Sequence, residues 1–235
     1  MLFLKNYPDF ICIGAQKSGT SWLYKQLCLH PQIIMHKKEL RFFPPHTNFP
    51  ILQIQKHFYN YENYICGDMT PEYFISKKTA YILYNNFPKT KIFVILRNPV
   101  ERAFSQYRMS LSKGNISKNC SFIEAFKNNF RDISFKGMYD IQLNNYLKFY
   151  KLHDSLKVFL YDDLLKNPKI FFEDVCKYLN IKIYIPHTIY TWEKQQYYYD
   201  GLKISERDKK FVKNYYNNSI KKLENILNIE INWMK

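Results

Sequence analysis

One stretch limits the fold of this chain more than any other: Phe10-Ile-Cys-Ile-Gly14, followed at once by Ala-Gln-Lys-Ser-Gly-Thr-Ser21. A short apolar, β-branched run that stops at a glycine reads as a buried strand. The polar residues after it read as a loop, and residues 20–29 as a helix closed by His30-Pro31. The segment Lys91–Leu96 (KIFVIL) is apolar almost throughout, which suits a strand covered on both faces and therefore a parallel sheet. Further strands are expected at 64–67 and 157–161. A helix is expected to open at Pro99, with Asn98 as its cap, and run to about Ser112. Other helices are expected at 121–130, 138–150, 169–179 and 205–226. Strands alternating with helices predict an α/β fold, a P-loop-like central parallel β-sheet flanked by helices. No repeat and no Gly-, Ser- or Pro-rich linker divides the 235 residues, so 1–235 is expected to be a single domain.

Composition excludes several classes. Hydrophobic residues make up 46% and aromatics 18% of the chain, too much apolar surface for a disordered polymer. The apolar runs fall far short of the roughly 20 residues that a membrane-spanning helix needs. Leu2 to Leu4 is too brief for a leader's apolar core, so a cytoplasmic location is expected. Cys12, Cys28, Cys66, Cys120 and Cys176 are scattered, odd in number and without a CxxC, which points to reduced core thiols rather than disulfides or a zinc site. The three Asn-x-Ser sites have no secretory route to meet in that reading. The net charge of +15 suits a phosphate-rich or otherwise anionic partner, although an AT-rich genome produces a similar excess of lysine.

The loop at Gly14–Ser21 lies where backbone N–H groups and the helix dipole converge on an anion. Its spacing is close to the Walker A pattern GxxxxGK[ST], but Thr20 stands where the nucleotide-triphosphatase lysine belongs and Lys17 lies inside the loop. A kinase would lose its clamp on the β- and γ-phosphates. With Lys17, Ser18, Gly19, Thr20 and Ser21 so arranged, the loop resembles the 5′-phosphosulfate loop of sulfotransferases that use 3′-phosphoadenosine 5′-phosphosulfate (PAPS). The segment VILRNPVERAFSQYRMS resembles that family's 3′-phosphate motif, with Arg97 at a strand end and Ser105 eight residues on. A guanidinium at a strand's edge supplies a forked cation for phosphate, and a hydroxyl two turns into the next helix supplies a donor. The resemblance extends through LHPQ (29–32), TPEYF (70–74), Gly137-Met-Tyr139 with Gln142-Leu143, YDDL (161–164) and Trp233. All are similar to segments of bacterial PAPS sulfotransferases and of heparan sulfate sulfotransferase domains. Trp233, Tyr139 and Gln142 also admit a purely packing role.

The resemblance implies PAPS as sulfuryl donor, adenosine 3′,5′-bisphosphate as product and no metal. Cationic side chains, Lys17 above all, meet the charge that develops on the departing phosphate. It also implies a general base. In the heparan-type enzymes a segment like Lys38-Glu-Leu-Arg-Phe-Phe43 follows the first helix and carries the glutamate proposed for that role, so Glu39 is the catalytic candidate beside Lys17. A surface carboxylate paired with Lys37, Lys38 or Arg41 is the plainer reading of Glu39. The chain departs from the heparan pattern at Arg41, Pro44 and Met69, where those enzymes carry His, Asp and, in some members, Lys. Phenol- and steroid-type sulfotransferases use a histidine base, for which His36, His46 and His57 are the nearby residues, read here as solvated loop histidines. The segment 192–203 falls where the family closes a loop over the donor, and Lys203 is a further donor-binding candidate.

The implied partners are therefore a nucleotide donor and a small-molecule or glycan acceptor, with the hydroxyl or amine of a carbohydrate as the expected acceptor group. A P-loop small-molecule kinase is the alternative enzyme. A basic nucleic-acid-binding protein explains the charge but neither phosphate motif, and the chain carries no recognisable signature of one.

Overall fold

In the computed structural model, which describes residues 7–43, 51–58, 63–190 and 201–234, five strands form one parallel sheet. They are β1 (Phe10–Gly14), β2 (Ile33–Ile34), β3 (Ile65–Met69), β4 (Lys91–Leu96) and β5 (Leu156–Leu160), in the order β2-β3-β1-β4-β5. Helix α1 (Thr20–Cys28) follows β1. Strand β1 pairs with β3 on one side and with β4 on the other, and the chain fills the β3 side before crossing to β4. The carboxyl end of β1 is therefore the point at which strand order reverses, where open α/β sheets place their ligands.

The chain divides into two compact units: residues 1–96 with 145–193, and residues 97–144 with 194–235. The first holds the whole sheet. On one face Phe10, Cys12, Met69, Phe93, Ile95 and Phe159 meet Trp22, Leu23 and Leu27 of α1. α7 (Tyr161–Lys166) and α8 (Pro168–Leu179) complete that core with Leu164, Phe171, Phe172 and Val175. The alternate residues Ile11, Ile13, Ile92 and Val94 are buried as well, so the sheet is covered on both sides, as period-two alternation requires. Phe10 fills the space over Gly67, where any side chain would collide with its ring.

The expected β1, β4 and the helix Pro99–Ser112 (α4) occur at those bounds. The Asn98 side chain accepts from Val100 N–H at 3.0 Å, capping α4. The second strand is displaced from the expected 64–67 to Ile65–Met69, because Gly67, Asp68 and Met69 pair with Phe10, Ile11 and Cys12. Three helices of the first unit have no counterpart in the sequence reading: α2 (Ile51–His57), α3 (Lys77–Asn86) and α7. In α3 only Thr79, Ala80 and Leu83 are buried, too narrow an apolar stripe to stand out. Two of the cysteines correct the expectation of core thiols: Cys12, Cys66 and Cys176 are buried and in no disulfide, but Cys28 is exposed and Cys120 half-buried.

The second unit contains α4, α5 (Phe122–Lys127), the start of α6 (Tyr139–Leu147) and α9 (Glu206–Leu227). Ser121 and Glu124 form a reciprocal cap at the start of α5. Arg102 of α4 is fully buried and donates to Gln106 Oε1 at 2.7 Å and to the Ile133 carbonyl. Tyr216 of α9 donates to Ser134 O at 2.8 Å. These bonds hold the irregular backbone between α5 and α6, where Asn129, Arg131 and Asp132 adopt positive φ.

Candidate active site

The loop between β1 and α1 is built to bring backbone close to a ligand. Gly19 caps α1 at φ 86°, and a β-carbon there would lie 2.8 Å from Leu164 Cδ2 and 3.1 Å from the Tyr161 ring. Only glycine fits that left-handed, crowded position. A β-carbon on Gly14 would lie 3.0 Å from the Pro71 carbonyl. Lys17 also takes positive φ, 72°, and is half-buried. No side chain caps the first turn of α1 and no acidic residue lies in it, so its N–H groups and positive dipole end are available to an anion. Ser18 is fully buried, yet its hydroxyl has no hydrogen-bond partner. A buried hydroxyl left so costs on the order of 1–3 kcal/mol; an oxygen-rich anion in the cradle satisfies it. The residues present thus fit a phosphosulfate group.

Glu39 is brought to this loop through one side chain. Lys38 Nζ donates to Ser21 Oγ at 2.6 Å and lies 3.4 Å from Glu39 Oε1. Arg41 Nη2 donates to Glu39 Oε2 at 2.9 Å and lies 3.9 Å from Glu72 Oε1, and Gln16 Nε2 donates to Glu72 at 3.4 Å. The Glu39 carboxylate therefore has the surface ion pairs that the plainer reading expects, and in addition a link to the anion loop. Glu39 and Arg41 both take positive φ, 62° and 57°. Behind them Leu40 N–H donates to Asp68 Oδ1 at 3.3 Å and Arg41 N–H to Thr70 Oγ1 at 3.4 Å. Burial pushes the fully enclosed Asp68 carboxyl up to about 6, opposed by its hydrogen bonds.

His57 corrects the expectation of a solvated loop histidine. It ends α2, half-buried, with its ring 4.3 Å from that of His36 and 5.2 Å from that of Phe42. Burial lowers the pKa of both histidines, and for His57 the neighbouring His36 adds to the effect. His46 and Pro44 lie outside the described residues.

The 3′-phosphate candidates belong to the second unit and are described within it. Arg97 follows β4 directly and its Nη2 donates to Glu101 Oε2 at 2.9 Å; Ser105 is buried on α4. Tyr139 donates its hydroxyl to the Arg97 carbonyl at 2.8 Å, Asn98 Nδ2 donates to Trp233 O at 3.2 Å, and the Tyr139 and Trp233 rings lie 6.1 Å apart. Tyr139 and Trp233 thus brace the turn that presents Arg97, and Gln142 donates to Phe135 O at 2.6 Å. Lys203 is exposed just before α9. Residues 191–200, most of the expected closing loop, lie outside the described residues. Among the described residues no group of His, Cys, Asp or Glu is arranged to hold a metal ion, and no helix is long and apolar enough to cross a membrane.

Sequence reasoning named Lys38 only as a pairing partner of Glu39, which it is, missed its bond to Ser21, and passed over Asp68 and Thr70 as site residues. Lys38 and Thr70 stood inside motifs already singled out, and an acidic residue within a strand that is otherwise apolar is the signal that marks Asp68.

The model of the sulfotransferase domain family matches residues 7–224 of this chain. The chain belongs to the sulfotransferase family. Among its relatives, the membrane-associated sulfotransferase kil1 of Dictyostelium discoideum is 41% identical over 109 residues, 44% of this chain and 23% of that protein. Heparan sulfate glucosamine 3-O-sulfotransferase 5 of mouse is 27% identical over 191 residues, 76% of this chain and 55% of that protein. The sulfotransferase-family chain thus aligns with about a quarter to a half of the length of these relatives. A crystal structure of a sulfotransferase from Alicyclobacillus acidocaldarius shares the fold with a TM-score of 0.79 at 21% identity, covering 97% of this chain and 99% of that one.

Proposed function

We propose that the chain, acting as one sulfotransferase domain over residues 1–235, moves a sulfuryl group from PAPS to a hydroxyl or amine of a carbohydrate. The observation that carries the donor assignment is the buried, partnerless Ser18 hydroxyl in a loop that ends at the uncapped start of α1. In this reading Lys17, Ser18, Gly19, Thr20 and Ser21 hold the 5′-phosphosulfate, Arg97 and Ser105 hold the 3′-phosphate, and Lys203 is a further donor contact. Family membership and the similarity to a heparan sulfate 3-O-sulfotransferase support both donor and acceptor class. The net charge of +15 favours an acceptor that is itself anionic.

The chemistry follows from the residues. An acceptor oxygen or nitrogen forms a bond to sulfur while the bond between sulfur and the bridging phosphate oxygen breaks. The acceptor's proton passes to the Glu39 carboxylate, and adenosine 3′,5′-bisphosphate leaves with the negative charge that Lys17 and the α1 N-terminus stabilise. In this reading Arg41, exposed over half its side-chain surface, moves off Glu39 when an acceptor arrives. No metal enters this scheme, since cationic side chains carry the charge.

The test is transfer of label from ³⁵S-PAPS to a panel of polysaccharides, desulfated and sulfated, in the presence of EDTA. Label is expected in a glycan. Transfer only to phenols would overturn the acceptor class, and failure to bind adenosine 3′,5′-bisphosphate would overturn the donor.

A further inference from the structure

A fully buried carboxylate stands behind the base segment. Asp68 sits in β3 opposite Ile11 of β1, in the interior of the sheet. Its Oδ1 accepts from Leu40 N–H and from Thr70 Oγ1, at 3.3 and 2.9 Å, and the Tyr73 hydroxyl and the Met69 backbone N–H also lie near enough to lower the pKa of the carboxyl. Thr70 Oγ1 in turn accepts from Arg41 N–H. The two side chains therefore catch consecutive peptide N–H groups directly after Glu39. The backbone there needs holding, because Glu39 and Arg41 both lie in the left-handed region that side chains other than glycine avoid.

Resting on the reading of Glu39 as base, we infer that Asp68, with Thr70, is a positioning residue that clamps the Leu40–Arg41 backbone and so fixes where the Glu39 carboxylate stands. An apolar residue would suit the strand interior better. Burial of the charge is a cost, visible in the carboxyl's pKa being pushed up to about 6, and the clamp is what that cost sustains. A misplaced catalytic group loses rate steeply, about a hundredfold for 1 Å.

The test combines amide hydrogen exchange with turnover of PAPS on heparan sulfate in Asp68→Ala, Asp68→Asn, Thr70→Val, Glu39→Gln and Glu39→Gln/Asp68→Ala. In Asp68→Ala, exchange in residues 38–43 is expected to speed up about tenfold with other segments unchanged, and turnover to fall about 10- to 100-fold while affinity for adenosine 3′,5′-bisphosphate holds. Asp68→Asn keeps an acceptor oxygen and is expected to stay within about threefold of native. Because Asp68 acts through Glu39, the double variant should be no slower than Glu39→Gln alone. Unchanged exchange in Asp68→Ala, or losses that multiply in the double variant, overturn the clamp. Should Asp68→Ala fail to fold, Thr70→Val carries the same exchange test. Native turnover in Glu39→Gln would instead remove the base assignment, leaving the exchange result to judge the clamp separately.

Discussion

Lys38 Nζ stands 2.6 Å from Ser21 Oγ and 3.4 Å from Glu39 Oε1, so one ammonium group joins the first turn of α1 to the proposed base. A lysine in that place connects the region proposed for the donor's sulfuryl end with the group proposed to take the acceptor's proton. It also supplies a second cation, after Lys17, to the same loop.

Glu39→Gln keeps the shape of the side chain and removes its basicity. Turnover is expected to fall by about 10² to 10⁴, with affinity for adenosine 3′,5′-bisphosphate unchanged by calorimetry. Lys17→Ala should differ by weakening nucleotide binding and turnover together, since that lysine meets charge in ground and transition states alike. A Glu39→Gln protein with near-native turnover would transfer attention to His36, His46 and His57.

Adenosine 3′,5′-bisphosphate is expected to bind in EDTA, and far more tightly than adenosine 5′-monophosphate. Loss of one charge-assisted contact should weaken binding by about 1.5–3 kcal/mol, so Arg97→Met should bring the two nucleotides close together in affinity. Equal affinities in the native protein would show that Arg97 and Ser105 do not serve a 3′-phosphate.

Gly19→Ala places a methyl group 2.8 Å from Leu164 Cδ2 in a left-handed backbone position. The expected result is a loss of about 1–3 kcal/mol of stability together with weakened nucleotide binding. Gly114, with positive φ but open space around it, is the control: Gly114→Ala should leave binding untouched. A native affinity in Gly19→Ala would mean that the anion does not approach this turn.

Asp68 also makes stability depend on pH. Its carboxyl, near 3.8 in the unfolded chain, is raised to about 6 on folding, so the native state holds the proton more tightly over that interval. The sign follows: the contribution favours folding below about pH 4 and is lost as pH rises through 6. Asp68→Asn should therefore be more stable than native at pH 7.5, by about 1–3 kcal/mol, with the advantage shrinking as pH falls toward 4. Denaturant midpoints at pH 7.5 and 4.5 check it; an equal difference at both would assign the effect to packing.

If the acceptor is an anionic glycan steered by the basic surface, its apparent affinity should fall as salt rises from 50 to 300 mM, the range over which screening of exposed charges becomes substantial, at about 10 Å for 0.1 M. Affinity independent of salt would remove steering by net charge.

Much of this protein was legible in its residues because the informative parts are contiguous. The strand Phe10–Gly14, the loop with Lys17 and Ser18, and the helix from Thr20 are set by apolar runs, glycine placement and capping over about 20 neighbouring residues. The same holds for β4, the Asn98 cap and α4, and so for the placement of Arg97 and Ser105 on one strand end and the following helix. Glu39 stood out by its motif, and its pairs with Lys38 and Arg41 follow from adjacency, but nothing local indicates what holds that segment or ties it to the anion loop. The hydrogen bond from Leu40 to Asp68 spans 28 residues and that from Lys38 to Ser21 spans 17; both join residues that lie in or follow strands set side by side by the sheet order β2-β3-β1. The two-residue β2 and the narrow apolar stripe of α3 likewise carry too little periodicity to declare themselves. Local sequence decided which phosphate-binding elements form, through short-range hydrogen bonding and burial pattern. Tertiary structure alone decided which distant residues, Ser21, Asp68 and Thr70, hold the segment of the proposed base, because sheet register is a long-range property.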